Sequence, residues 1–101
     1  MKRYKVYTIE KGLVETNWYD SIRGLTWHRV NGPAVICYID GVLIDFEVYY
    51  INDIKHRLDG PAYIEYDING NITYVEYCIN GIAYTKEQYS KELLKLKVQA
   101  L

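Results

Sequence analysis

Two histidine–arginine pairs are the residues of this chain best suited to binding chemistry. They open two segments that begin 28 residues apart, the first motif, His28-Arg29-Val30-Asn31-Gly32-Pro33-Ala34, and the second motif, His56-Arg57-Leu58-Asp59-Gly60-Pro61-Ala62. If the motifs lie side by side, the two pairs form a row of basic groups next to glycine-containing backbone. Such a row would bind a phosphate or a carboxylate through charge-assisted hydrogen bonds.

The same residue types also have a structural interpretation. Asn31 or Asp59 would bond its side chain back to the backbone, glycine would take an unusual φ angle, and proline would begin a strand where no N–H is needed. Arg29 and Arg57 would donate to carbonyl groups or pair with acidic side chains of the adjacent unit, and the small alanine would let units approach closely. Repeated residues of stacked repeat proteins usually maintain the stacking, which favours this interpretation.

No enzyme class finds support in the sequence. There is no glycine-rich phosphate loop, no nucleophile elbow and no cysteine–histidine spacing typical of a metal site. The two histidines, His28 and His56, occupy equivalent positions of the two motifs, whereas catalytic sites are normally asymmetric. Cys37 and Cys78 fall in predicted strands, where buried free thiols are expected. We therefore expect no catalytic residue, no metal and no cofactor.

The composition is that of one soluble globular domain. The chain has 101 residues and a net charge of −1, which argues against a nucleic-acid-binding surface because such surfaces carry a basic excess. Twelve tyrosines accompany a single phenylalanine; tyrosine suits half-buried sheet faces and contact surfaces. Tyr49 and Tyr63 fall on predicted outward faces and join the His-Arg pairs as candidate binding residues. No apolar leader or membrane span is visible, so we expect a cytoplasmic protein without membrane association.

Turn signals divide the chain into predicted strands. The signals are Lys11-Gly12, Asn31-Gly32, Asp40-Gly41, Asn52-Asp53, Asp59-Gly60, Asn69-Gly70 and Asn80-Gly81, dipeptides that favour tight turns. Between them, residues that fit a pleated surface predict six strands, at about 3–9, 13–19, 34–39, 42–51, 62–68 and 72–79. Period-two alternation indicates one buried face in two of these strands. The residues predicted to face inward are Val42, Ile44, Phe46, Val48 and Tyr50, and then Ala62, Ile64, Tyr66 and Ile68.

The pattern predicts a mainly β fold, an antiparallel β-hairpin repeat sheet with a 28-residue period and one C-terminal α-helix as its cap. Residues 1–27 would be a degenerate first repeat, followed by repeats at 28–55 and 56–84 and by the capping segment 85–101. Thr85 and Gln88 have the spacing of a capping box, which predicts a helix over about 86–98. Its apolar face, Tyr89, Leu93 and Leu96, is expected to pack on the end of the sheet.

The repeat unit resembles the MORN-like repeats found in small proteins of large bacteriophages, giant viruses and some bacteria. The likeness rests on His-Arg-x-(Asp/Asn)-Gly-Pro-Ala, an apolar strand, a glycine hairpin and a strand that ends in (Tyr/Cys)-Ile-Asn-(Asp/Gly), and it covers about residues 18–90. The chain lacks the shorter Tyr-x-Gly-x-Trp spacing of the standard MORN pattern. It also lacks the basic positions linked to lipid binding in some MORN proteins. The resemblance implies a single-layer antiparallel sheet and no shared catalytic residues.

The leading functional hypothesis is a non-enzymatic protein-binding module, since a thin tyrosine-rich sheet suits flat contact surfaces. By analogy with the viral proteins it resembles, the partner would be a host defence protein and the chain an inhibitor of the anti-CRISPR kind. Three alternatives stay open: a small-anion or nucleotide-sequestering binder that uses the His-Arg row, a purely structural repeat protein, and a protein that binds single-stranded nucleic acid through stacked tyrosines. A homodimer is a further possible assembly.

Overall fold

The chain forms one antiparallel sheet, a separate small hairpin and a C-terminal helix. The computed structural model describes residues 4–10, 13–19, 26–39 and 43–100, and within those ranges it contains nine strands and one helix. They are β1 (Tyr4–Glu10), β2 (Leu13–Tyr19), β3 (Val35–Ile39), β4 (Leu43–Val48), β5 (Tyr50–Ile51), β6 (Ile54–Lys55), β7 (Tyr63–Tyr66), β8 (Ile72–Ile79), β9 (Ile82–Tyr84) and α1 (Lys86–Gln99). This confirms the predicted fold class, mainly β and antiparallel with one C-terminal helix.

The strands of the large sheet follow one another in the order β1-β2-β3-β4-β7-β8-β9, while β5 and β6 pair only with each other. Every pairing is antiparallel. The core is small and lies where the motifs lead into the strands: Ala34, Cys37 and Ala62 are fully buried, and Val48 and Ile64 are nearly so. The two motif alanines therefore sit at the centre of the packing, where a larger side chain would not fit.

The predicted strand 42–51 is divided into β4 and β5 because the chain changes partners at Tyr49. The Tyr49 N–H donates to the Ala62 carbonyl, and the Tyr49 carbonyl accepts from the His56 N–H. After β5 the chain turns back on itself at Asn52 and Asp53, with φ angles of 50° and 65°, into the two-residue strand β6. Strands this short carry no recognisable period, and for that reason β6 and β9 were not predicted.

The alternating pattern predicted the faces of neighbouring strands only in part. Tyr63, predicted to face outward, lies opposite Val48 in the ladder, so it shares the face of a residue predicted to be inward. The rings of Phe46 and Tyr63 stack on that face with centroids 6.0 Å apart. The prediction for Ile68 is wrong: its side chain is 70% exposed because the hairpin turn after β7 begins before it.

The turn between β7 and β8 follows the Asn69-Gly70 prediction. Gly70 has a φ of 82°, and the Asp67 carboxylate accepts hydrogen bonds from the N–H groups of Asn69 and Asn71, both at 2.9 Å. These bonds lower the pKa of Asp67, since they stabilise its ionised form. The predicted turns at Lys11-Gly12 and Asp40-Gly41, together with Val42, lie outside the described residues.

Helix α1 begins as the sequence predicts. Thr85 is the N-cap, and the reciprocal bonds of a capping box join it to Gln88. Tyr89 is the buried residue of the helix, whereas Leu96 is 39% exposed, so the prediction that Leu96 packs on the sheet is wrong. The apolar side chains later in the helix, Leu94 and Val98, are more than 60% exposed.

Tyr89 attaches the helix to the second motif. Its hydroxyl donates to the Arg57 carbonyl at 2.5 Å and lies 3.0 Å from the Gly60 carbonyl, while its ring lies against Tyr77 with centroids 4.9 Å apart. The helix begins where a third motif would begin by the 28-residue spacing. Tyr89 thus caps the stack by satisfying backbone groups of the last motif.

Replacing Tyr89 by phenylalanine tests this attachment. The substitution keeps the ring and removes the only hydroxyl that bonds these two carbonyls among the described residues, so the free energy of unfolding should fall by about 1–3 kcal/mol. Chemical denaturation monitored by circular dichroism measures the loss. Tyr84→Phe is the matched control, because no hydrogen bond of the described residues involves its hydroxyl. Equal stabilities of the two variants would contradict the assignment.

Candidate functional site

In both motifs the arginine side chain folds back over its own loop. Arg29 Nη1 donates to the Pro33 carbonyl at 3.1 Å, and Arg57 Nη1 donates to the Pro61 carbonyl at 3.0 Å. A Cβ atom on Gly60 would lie 2.9 Å from Cζ of Arg57. The glycine therefore leaves room for the guanidinium, and the loop is closed by a charge-assisted hydrogen bond.

The histidine of each motif binds the hairpin turn at the other end of its predicted repeat unit, 28–55 or 56–84. His28 Nδ1 accepts a hydrogen bond from the Asn52 N–H at 3.1 Å, and His56 Nδ1 accepts one from the Asn80 N–H at 2.9 Å. Both asparagines have φ angles of 50°, in the turns of the β5–β6 and β8–β9 hairpins. The imidazole thus supplies the acceptor for an N–H that the tight turn leaves without a backbone partner.

Backbone contacts of the two motifs recur at the same 28-residue displacement. The Arg29 N–H donates to the Tyr50 carbonyl as the Arg57 N–H does to the Cys78 carbonyl. Three further pairs of hydrogen bonds correspond in the same way. The N–H groups of Ala34 and Ala62 donate to the carbonyls of Val48 and Glu76, and the N–H groups of Asp53 and Gly81 donate to the carbonyls of Trp27 and Lys55. The third pair is the two arginine–proline bonds. Histidine and arginine are therefore part of how each unit closes on itself.

Between the two motif loops lies an open groove of about 670 Å³, the loop groove. Its lining includes four of the six predicted binding residues, Arg29, Tyr49, His56 and Arg57. His28 is only 5% exposed and belongs to the core. Tyr63 does not line the groove; it lies on the sheet beside Phe46, where its hydroxyl donates to Glu65 at 2.6 Å. The structure therefore places four of the six predicted binding residues around the groove, and it places Tyr63 elsewhere on the sheet.

The cationic groups of the groove already have internal partners. The Arg57 guanidinium donates from Nε to Asp59 at 2.9 Å and lies 4.0 Å above the Tyr49 ring, which joins the second motif to the preceding unit. Burial raises the pKa of Tyr49, and the nearby Arg57 partly offsets that rise. Arg29 is held by the Pro33 carbonyl. Each arginine thus directs part of its donor capacity into its own loop.

Three apolar side chains of the groove, Val30, Ile51 and Leu58, were not predicted as binding residues. Val30 is 61% exposed and Leu58 is 48% exposed, and each is the third residue of its motif. Ile51 and Tyr49 continue this apolar surface between them. The available signal was an apolar residue repeated at a loop position where the turn chemistry requires none.

Comparisons of the chain with protein-family models, curated proteins and solved structures give no match. Among the described residues, no group of three or more histidine, cysteine and acidic side chains has the geometry of a metal site. No helix in the described part of the chain is long and apolar enough to cross a membrane.

Replacing Arg57 by alanine should destabilise the fold. The Arg57 side chain is 21% exposed, so its loss leaves the Pro61 carbonyl without a donor and uncovers the Tyr49 ring, at a cost of about 1–3 kcal/mol in unfolding free energy. Arg57→Lys should recover only part of this, because an ammonium is a point charge without the planar fork. Thermal unfolding compares the variants.

The control for this experiment is Asp59→Ala. The Asp59 side chain is 87% exposed, and an ion pair with such a partner contributes at most about 1 kcal/mol. Its melting temperature should stay near that of the wild type. A melting temperature of Arg57→Ala equal to or above the wild-type value would show that Arg57 is held for binding and not for folding.

Proposed function

We propose that this chain is a non-enzymatic protein-binding module and that the loop groove is its contact surface. The observation that carries the proposal is the pair of exposed apolar side chains, Val30 and Leu58, at equivalent positions of adjacent loops. Exposed apolar residues clustered in a concave surface with a polar rim are typical of protein interfaces. The exposed carboxylate of Asp59 and the half-buried Arg29 supply that rim.

The apolar content of the groove favours a protein partner over a small anion. An anion site needs donors that point into it, and Arg57 directs two of its five N–H groups to Asp59 and the Pro61 carbonyl instead. A protein side chain inserted between Val30 and Leu58 would instead gain from the burial of apolar surface, about 25 cal/mol per Å². A host defence protein as the partner, and an inhibitory role, follow from the resemblance to phage and viral repeat proteins and form part of this proposal.

Binding can be tested with paired groove variants. Val30→Asp combined with Leu58→Asp places charge on both sides of the groove, and capture of a specific protein from an extract of the source cell should fall at least tenfold. The matched control is Ile68→Asp, which adds the same charge at a residue that is 70% exposed in the β7–β8 turn, away from the groove. Quantitative mass spectrometry of the captured proteins measures the ratio between variants.

Ligand-dependent unfolding tests the small-anion alternative. A ligand that binds only the folded state raises the melting temperature, and the stabilisation grows with the logarithm of one plus the ratio of the ligand concentration to Kd. We expect inorganic phosphate and ATP at millimolar concentration to leave the melting temperature unchanged at constant ionic strength. A rise that Arg29→Ala abolishes would replace the protein-binding proposal by an anion-binding one. Equal capture by the wild type and the groove variants would contradict the loop groove as the contact surface.

A further inference from the structure

The two loops that form the loop groove have the same motif but differ in charge at one position. The fourth motif residue is Asn31 in the first loop and Asp59 in the second, and both residues line the groove. The second motif therefore supplies a carboxylate to its own arginine, with Arg57 Nε and Asp59 Oδ1 2.9 Å apart, whereas the first motif has a neutral amide at that place. The lining thus contains two guanidinium groups and one carboxylate, in a chain whose net charge is −1.

His56 brings a hydrogen-bond donor to the same groove. Its Nδ1 accepts from the Asn80 N–H at 2.9 Å, so in the neutral imidazole the ring proton lies on Nε2. In the part of the chain that the structure describes, nothing accepts a hydrogen bond from that Nε2–H. His56 lines the groove and Asn80 does not, so the ring edge bonded to Asn80 faces away from the groove and the edge with the Nε2–H faces it.

Arg57 adds further donors beside the apolar part of the groove. Two of its five N–H groups bond to Asp59 and to the Pro61 carbonyl, and the other three have no acceptor among the described residues. The neighbouring residue Leu58 is 48% exposed, and Val30 on the other loop is 61% exposed. Apolar side chains, N–H donors and an excess of positive charge therefore lie together in one groove.

We infer that the protein segment bound in the loop groove has a glutamate or aspartate close to the apolar side chain that inserts between Val30 and Leu58. The inference rests on the proposed function, because it gives the chemistry of the partner that this groove binds. A carboxylate would accept charge-assisted hydrogen bonds from His56 Nε2 and from the remaining N–H groups of Arg57. A basic segment would instead meet a groove of its own sign.

Titration of the full chain with synthetic peptides tests the inference, with binding followed through the amide NMR signals of the two motif loops. Each probe is capped at both ends and contains a leucine and a glutamate, adjacent or separated by one or two glycines, so the glutamate is its only charge. Matching probes have glutamine or lysine in place of glutamate, or serine in place of leucine.

The glutamate probes should bind more tightly than all matching probes. At the best spacing we expect a Kd on the order of 1 mM, because a short flexible peptide loses much freedom on binding. Glutamine in place of glutamate should raise Kd by about threefold to tenfold, and lysine should raise it further, since the Coulomb attraction is lost or reversed. Serine in place of leucine should also raise Kd, since it removes apolar contact.

The repeat provides matched variants for the same titration. Asn31→Asp and Asp59→Asn each give one motif the residue that the other motif already has at this position, so both loops should accommodate the exchange. Asp59→Asn should lower the Kd of the glutamate probe by about threefold and Asn31→Asp should raise it by a similar factor, as expected for one exposed charge nearby. The glutamine probe should respond to neither.

Asn69→Asp is the matched control for these exchanges. It makes the same chemical change at an exposed residue of the β7–β8 turn, at the end of β7 away from the motif, and should leave the affinity of the glutamate probe at the wild-type value. Thermal unfolding shows which variants fold. If one exchange unfolds the chain, the other carries the test with the opposite sign.

The inference fails if the glutamine, lysine or serine probe binds as tightly as the glutamate probe, or if no glutamate probe binds at all. It also fails if neither Asn31→Asp nor Asp59→Asn changes the affinity, or if Asn69→Asp weakens binding as much as Asn31→Asp does. These results leave the loop groove standing as a contact surface, because the capture experiment with Val30→Asp and Leu58→Asp tests that proposal separately.

Discussion

The fold depends on the closure of each unit by its own motif. A histidine at the start of the unit accepts a hydrogen bond from the asparagine N–H of the tight hairpin at its end, over 24 residues of chain in both units. The adjacent arginine N–H adds a bond to the strand before that hairpin. Among the residues whose burial the structure describes, few side chains are fully buried, so hydrogen-bonded backbone groups at the ends of the units contribute much to defining the fold.

Contacts between units are of a different kind from contacts within them. The second unit joins the first through the Arg57 guanidinium above the Tyr49 ring, through the β4–β7 ladder, and through Tyr66, whose hydroxyl donates to Glu47. Burial and that carboxylate raise the pKa of Tyr66 to about 12. At the end of the stack, Tyr89 lies on Tyr77 much as Arg57 lies on Tyr49. The helix therefore replaces a third motif at the loops.

The sequence allowed the fold class, most strand positions and the helix start to be predicted, because repeated turn dipeptides and a capping box are local signals. Four of the predicted binding residues line the groove, whereas its apolar residues Val30, Ile51 and Leu58 were not predicted to do so. The division of strand 42–51 at Tyr49 could not be predicted, since it results from hydrogen bonds to Ala62 and His56 in the next unit. The exposure of Leu96 likewise depends on where the helix leaves the sheet. The separation of Tyr63 from the basic row depends on the β4–β7 register, which alternation within one strand does not specify.

Amide hydrogen exchange under native conditions tests most directly the claim that the motif histidines and arginines close the units. The amide protons of Asn80 and Arg57, bonded to His56 Nδ1 and to the Cys78 carbonyl, should exchange as slowly as that of Ala62, which bonds to the Glu76 carbonyl at the start of β7. Protection at this level means that the motif opens only when the sheet opens. The contradicting result is exchange of the Asn80 and Arg57 amides at the rate of an unprotected peptide while Ala62 stays protected. It would show that the sheet folds without the hydrogen bonds of the motifs.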